Sequence, residues 1–231
     1  PVSVQTVVSH GATPVITWMS SNPDGSAAFS LADIAAGRYD AYARSWADGL
    51  RGIHGTVILR FDHEMNGNWY AWSPGVAGST ASDYVAAWRH LHDLFVTEGA
   101  TNVRWMWSPN VEYPGSASLA ALFPGDADVD IIGMDGYNWG ATGGHVWQTP
   151  SEVFSPTLAV LEALSSRPLM IAEVGSSPIG GDKAAWITDF LAQVRADGRI
   201  HGFIWFDANK EQDWRIASSP QTLAAFAAGL R

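Results

Sequence analysis

Two glutamates, Glu64 and Glu173, follow almost directly on apolar runs. Thr56-Val-Ile-Leu-Arg-Phe61 leads through Asp62 and His63 to Glu64, and Leu169-Met-Ile-Ala172 leads to Glu173. An ionised carboxylate at the end of a buried strand is costly unless it is paired or hydrogen-bonded. One such Glu is as readily a helix cap or an arginine's partner; two on one rim point to function. A pair of carboxylates among Trp and Tyr fits the hydrolysis of a glycosidic bond. One must be protonated to give a proton to the leaving oxygen, the other ionised to attack or to activate water. The C–H faces of a sugar ring are apolar and pack flat on indole, and the chain has twelve Trp. Arg60 shares strand parity with Glu64, which aims its fixed charge inward, where it helps keep a nucleophile ionised. The strand ends in order are Trp18, His63-Glu64, Ser108-Pro-Asn110, Asp135-Gly-Tyr137, Glu173 and Trp205. Among these, His63 is either a substrate contact or a satisfied hydrogen-bonding residue, and Asn110 and Trp18 join Arg60, whose plainer reading is a structural ion pair, as candidate substrate-binding residues.

Other chemistries fit less well. His63-Glu64-Met-Asn-Gly67 begins like the zinc-protease HExxH but has Gly where the second His must stand. His90 and His92 are two apart on a helix and face different ways. Neither Ser108 nor Ser176 sits in GxSxG, Gly180-Gly181 reads as a turn, and the chain has no Cys. No metal and no cofactor is therefore expected. A net charge of −10 weighs against nucleic acid and anionic membranes as partners. No apolar run approaches the ~18 residues of a membrane span. The first ten residues lack the pattern of a signal peptide, and with no initiator Met the chain reads as processed or truncated.

The elements that must position these residues alternate regularly. Strands are expected at 14–19, 56–61, 103–108, 129–135, 168–174 and 202–207, nearly continuous in apolar character, as strands buried on both faces are. Helical spacing recurs in Tyr39, Tyr42, Trp46 and Leu50, in Trp88, Leu91 and Phe95, and in Ile187, Phe190, Leu191 and Val194. Ser30-Leu-Ala-Asp33 has the form of a capping box. Ser219-Pro220 offers an N-cap and a first-turn Pro ahead of Leu223, Phe226 and Leu230. Val4, Val7 and Val8 before His10-Gly11 read as the end of a helix with its C-cap. Alternation of this kind means an α/β fold with a parallel sheet, and without a glycine-rich phosphate loop the expected form is a (β/α)8 TIM barrel. Six strands are counted where eight are needed, so the first one or two are expected to be lacking from this chain. Residues 1–231 are expected to form a single catalytic domain.

RFDHEMNGNWYAW, AAWRHLHDLF, GATNVRWMWSPN, VDIIGMDGYNWG, PLMIAEVGS, GGDKAAW and WFDANKEQDWRIASS, in that order, resemble glycoside hydrolase family 26 from about Gly11 to the C-terminus. The resemblance implies a (β/α)8 barrel and a retaining double displacement. Glu64 would be the acid/base and Glu173 the nucleophile, with carboxyl groups roughly 5–5.5 Å apart. His63, Trp69, Tyr137 and Trp205 would surround the cleaved sugar, Tyr137 positioning the nucleophile. Trp18 matches less closely, since Met19 stands where family members often carry Glu. Apolar walls from Trp69 would raise the pKa of Glu64. The expected activity is endo-β-1,4-mannanase; the alternatives are a mixed-linkage β-1,3-1,4-glucanase or a carbohydrate-binding remnant without catalysis. The implied partner is a polysaccharide, and a secreted monomer is expected.

Overall fold

A computed structural model of the chain describes residues 2–22 and 29–231. Helices and strands alternate: α1 (Val2–Ser9), β1 (Val15–Trp18), α2 (Leu31–Ala35), α3 (Asp40–Arg51), β2 (Val57–Phe61), α4 (Ala81–Thr97), β3 (Val103–Trp107), α5 (Leu119–Leu122), β4 (Ile131–Asn138), α6 (Pro150–Leu164), β5 (Leu169–Ser176), α7 (Lys183–Ala196), β6 (Ile200–Trp205) and α8 (Pro220–Gly229). All six expected strands are present, and Gly11, two residues past the end of α1, takes φ +76°, the left-handed stop that glycine allows. Two strands run further than their apolar stretches. β4 continues to Asn138 and β5 to Ser176, so Glu173 lies within its strand and not at its end. The ladder goes on where side chains turn polar because it is made of backbone groups.

The described chain falls into two compact units, Pro1–Ile132 and Gly133–Arg231, with the boundary inside β4. In the first unit the strands are parallel in the order β1-β2-β3-β4, from Val15 opposite Ile58 to Trp107 opposite Ile132. β2 is buried along its whole length. One face carries Trp18, Phe61 and Trp105, whose rings meet Trp88 and Phe95 of α4. A Thr80–Asp83 capping box starts α4, which buries Trp88, Leu91 and Phe95 as their spacing predicts. On α3 the buried residues are Ala43, Ala47 and Leu50, while Tyr42 is exposed. Of the expected stripe, Leu50 is buried and Trp46 stacks on Trp18 at 5.1 Å, while Ala43 and Ala47 are buried beside them.

In the second unit the order is β4-β5-β6, with β5 and β6 parallel. Ile187, Phe190 and Leu191 of α7 are buried. Ser219 caps α8 as expected and Pro220 opens it, and Phe226 meets Phe203 and Trp205. Leu223 and Leu230, expected on the same stripe, are exposed. Among the described residues no helix is long and apolar enough to cross a membrane.

Candidate active site

The first unit presents Glu64. β2 stops at Phe61, and the chain then takes left-handed conformations at Asp62 (φ +41°) and Glu64 (φ +52°). The strand parity that was expected to align Arg60 with Glu64 therefore ends before Glu64 is reached. Arg60 lies with Thr17 on the face opposite Phe61, its Nε donating to Thr17 Oγ1 at 3.1 Å, and it is buried. Glu64 is 9% exposed; its N–H donates to Ser108 O (2.7 Å), and its Oε2 accepts from Trp69 Nε1 (2.8 Å). Trp69 itself is 47% exposed. Its ring lies so close to the backbone of Gly67 that a Cβ there would stand 2.6 Å from Cζ2. Glycine at 67 is what lets the indole reach the carboxylate.

The surrounding loop is held from several sides. His63 is buried, with Nε2 3.2 Å from Tyr70 Oη, and its carbonyl accepts from Trp72 Nε1 at 2.8 Å. Tyr70 and Trp72 stack at 4.3 Å. The Asn66 side chain donates to Asn110 O and accepts from Asn110 N, both at 2.9 Å, which ties this loop to the segment after β3. Asn110 keeps a partly exposed side chain whose amide donates to Val111 O. Tyr113, from the same segment, brings its ring within 5.8 Å of Trp69. Its hydroxyl is buried without a hydrogen-bond partner, and burial followed by the Glu64 charge raises its pKa. Trp18, an expected sugar contact, is 8% exposed and packs against Trp46, Phe61 and Phe95 in the core. Its place in strand register with Phe61 turns it to the helices.

The second unit presents Glu173, in the middle of β5 and partly exposed. Tyr137 of β4 donates its hydroxyl to Glu173 Oε2 at 2.5 Å. The Tyr137 ring lies against Trp214 (4.9 Å) and Phe206 (6.1 Å). Gly175 lets these rings pack over β5: a Cβ there would be 3.0 Å from Tyr137 and 3.1 Å from Trp214. Trp214 is fixed by its backbone surroundings. The buried Lys183 ammonium donates to Asp213 O (2.8 Å) and Arg215 O (2.9 Å), and Trp205 Nε1 donates to Trp214 O (2.8 Å). Burial lowers the Lys183 pKa to about 8, against the opposing pull of Asp213 and Asp207. Trp205, another expected sugar contact, packs its ring on Trp186, Phe190 and Phe226 in the helix-side core. Its neighbour in sequence, Phe206, is the residue that faces Tyr137. Sequence reasoning missed Phe206 and Trp214; alternation along β6 could have suggested that of the adjacent Trp205 and Phe206 only one faces the helices.

His90 and His92 diverge as expected: His90 Nε2 meets Asp40 Oδ1 at 2.6 Å, and His92 Nδ1 lies 3.4 Å from Asp128. The ligand atoms of His92, Asp93 and Asp128 lie within 4.8 Å of one another, with Asp93 exposed. Spacing of histidines alone could not reveal that grouping.

The description "Glycosyl hydrolase family 26" matches residues 34–163, which include Glu64 and Tyr137. Endoglucanase H of Acetivibrio thermocellus is 38% identical over 226 residues, 95% of this chain and 24% of that protein. Mannan endo-1,4-beta-mannosidase A and B of Caldalkalibacillus mannanilyticus is 34% identical over 102 residues, 40% of this chain and 19% of that protein. The chain thus spans a quarter or less of the length of these two relatives. Among solved structures, GH26C from Muricauda sp. MAR_2010_75 superimposes with a TM-score of 0.72 at 17% identity, covering 99% of this chain and 69% of that one. The fold of the parallel strands and their helices is therefore shared with that structure, and by its sequence the chain belongs to glycoside hydrolase family 26.

Proposed function

We propose that this chain is an endo-acting, retaining glycoside hydrolase that cleaves β-1,4-mannan, with Glu64 as acid/base and Glu173 as nucleophile. The observation that carries the reading is the chemistry around each carboxylate. In a family 26 chain, each glutamate accepts a hydrogen bond from an aromatic side chain, Trp69 for Glu64 just beyond β2 and Tyr137 for Glu173 within β5. Glu173 attacks the anomeric carbon while Glu64 protonates the departing glycosidic oxygen. Glu64 then takes a proton from water, which releases the sugar from Glu173 with its configuration retained. The Tyr137 hydroxyl favours the ionised form of Glu173 and holds the oxygen that attacks. The Trp69 ring lies beside Glu64 with its Nε1 bonded to Oε2, and the Tyr113 ring lies against Trp69. His63, Asn110 and the exposed face of Trp69 are the proposed sugar contacts in the first unit, with Arg60 supplying fixed positive charge. Trp18 and Trp205 act behind that surface as packing. The parallel strands are read as part of a (β/α)8 barrel. A polymer too large to cross a membrane is met outside the cell, which supports reading the enzyme as secreted, and we read it as a monomer.

β-Glucan is the second reading, and a specific observation favours it. The similarity to Endoglucanase H runs nearly the whole chain, whereas the similarity to the mannosidase covers 40% of it. Hydrolysis of galactomannan, glucomannan and barley β-glucan compared side by side separates the two, and the anomeric configuration of the first product, read by NMR, tests retention. Replacing Glu173 by Ala should abolish turnover while leaving affinity for the oligosaccharide largely intact. A wild-type chain that binds saccharide without turnover would instead be a binding module.

A further inference from the structure

Asp62 is a second buried carboxyl, two residues before Glu64, to which the proposed reaction gives no task. It is fully buried and takes φ +41°. Its N–H donates to Trp18 O at 2.9 Å. Its Oδ1 accepts from Ser20 N at 2.7 Å, and its Oδ2 pairs with Ser20 Oγ at 2.6 Å. β1 ends at Trp18 and β2 at Phe61, so this carboxyl carries their pairing past both strand ends. On the other flank Glu64 N donates to Ser108 O, just beyond β3. The turn is thereby pinned to both neighbouring strands.

The backbone needs that pinning. Aspartate visits the left-handed region with local help, but glutamate has no such habit, and strained backbone persists only where the surroundings over-determine it. Ser20 is buried as well, so losing the carboxyl would strand its N–H and hydroxyl away from water. We propose that Asp62 is the positioning residue for Glu64, clamping the turn to the end of β1 through Ser20 so that the Glu64 carboxyl meets the glycosidic oxygen. This rests on the reading of Glu64 as the acid/base.

The test compares Asp62→Ala, Asp62→Asn and Ser20→Ala in the full chain, each checked for folding by thermal unfolding. Two substrates are needed: the polysaccharide, and a 2,4-dinitrophenyl glycoside of the matching oligosaccharide, whose leaving group departs without a proton. Asp62→Ala should lower kcat on the polysaccharide roughly 10–100-fold with KM nearly unchanged, as a catalytic group displaced by about 1 Å does. Glycosyl-enzyme formation from the dinitrophenyl glycoside, read as the burst of dinitrophenolate, should fall far less. Asn tolerates the left-handed region and can accept from Ser20 N, so Asp62→Asn should recover most of the rate. If Asp62→Ala does not fold, Ser20→Ala must give the same pattern in weaker form. Equal losses on both substrates, or no loss on either, overturn the positioning role. A wild-type chain that hydrolyses neither substrate fails the functional reading itself.

Discussion

The two glutamates are held in opposite ways. Glu64 stands in a strained turn beyond its strand, and its donor Trp69 comes from the same loop five residues later. Glu173 stands inside regular β5, and its donor Tyr137 comes from β4, 36 residues earlier in the chain. Behind Tyr137 lie Phe206 and Trp214, with Lys183 bracing the loop that carries Trp214. On the proposed roles, the residue that would give up and regain a proton is mounted on local structure beside a half-exposed indole. The residue that would attack is mounted on a strand and braced by distant parts of the chain. The first arrangement depends on a few neighbours in sequence, the second on tertiary packing.

The largest test of this contrast removes each carboxylate in turn. Glu173→Ala should lower turnover on every substrate by on the order of 10⁴-fold or more. Glu64→Ala should cost roughly 10²–10⁴-fold on polysaccharide, yet keep a burst of leaving group from a dinitrophenyl glycoside. If both variants lose the two substrates alike, the division of labour is wrong. Next, Tyr137→Phe removes one charge-assisted hydrogen bond, worth about 1.5–3 kcal/mol. Its kcat should fall roughly 10–100-fold, and an unchanged kcat would mean that Tyr137 leaves Glu173 indifferent. Gly67→Ala acts on the other side by pushing the Trp69 indole off Glu64; because that ring is half exposed and can swing away, the expected loss is smaller, about tenfold.

A further test reads stability, and there the units again differ in sign. In the first unit, burial raises the Asp62 pKa to about 7, outweighing the hydrogen bonds from Ser20. Between the unfolded value of 3.8 and about 7 the folded chain holds a proton that the unfolded chain has lost, so stability falls as pH rises. In the second, Lys183 is lowered from 10.5 to about 8, so between those values the unfolded chain holds the extra proton and stability rises with pH. Each slope is at most about 1.4 kcal/mol per pH unit. Chemical denaturation across pH should find Asp62→Asn flattening the first limb and Lys183→Met the second.

The contrast also explains what could be read in the sequence. Apolar runs located all six strands, and capping residues located the starts of α2 and α8, because these signals are local. Glu64 and Glu173 were both marked by the apolar runs before them. Trp69 and Tyr137 were named through their family blocks. Trp18 and Trp205 were misplaced because strands buried on both faces carry aromatics on each, and only the partners decide the direction a ring takes. Trp46 and Phe61 claimed the first, Trp186 and Phe190 the second. Trp214 was missed because its role depends on Gly175 and Lys183, which no spacing connects to it. No sequence signal singled out Asp62; its burial and its grip on Ser20 exist only once β1 and β2 are paired.

Of the twelve tryptophans, Trp69 is the most exposed, with about half of it open to solvent. The chain therefore contains its own optical reporter beside Glu64. Acrylamide quenching of the intrinsic emission should act first on this indole, and a bound oligosaccharide lying on it should slow that quenching. In Trp69→Phe the fast-quenched fraction should vanish, leaving a spectrum that saccharide no longer alters.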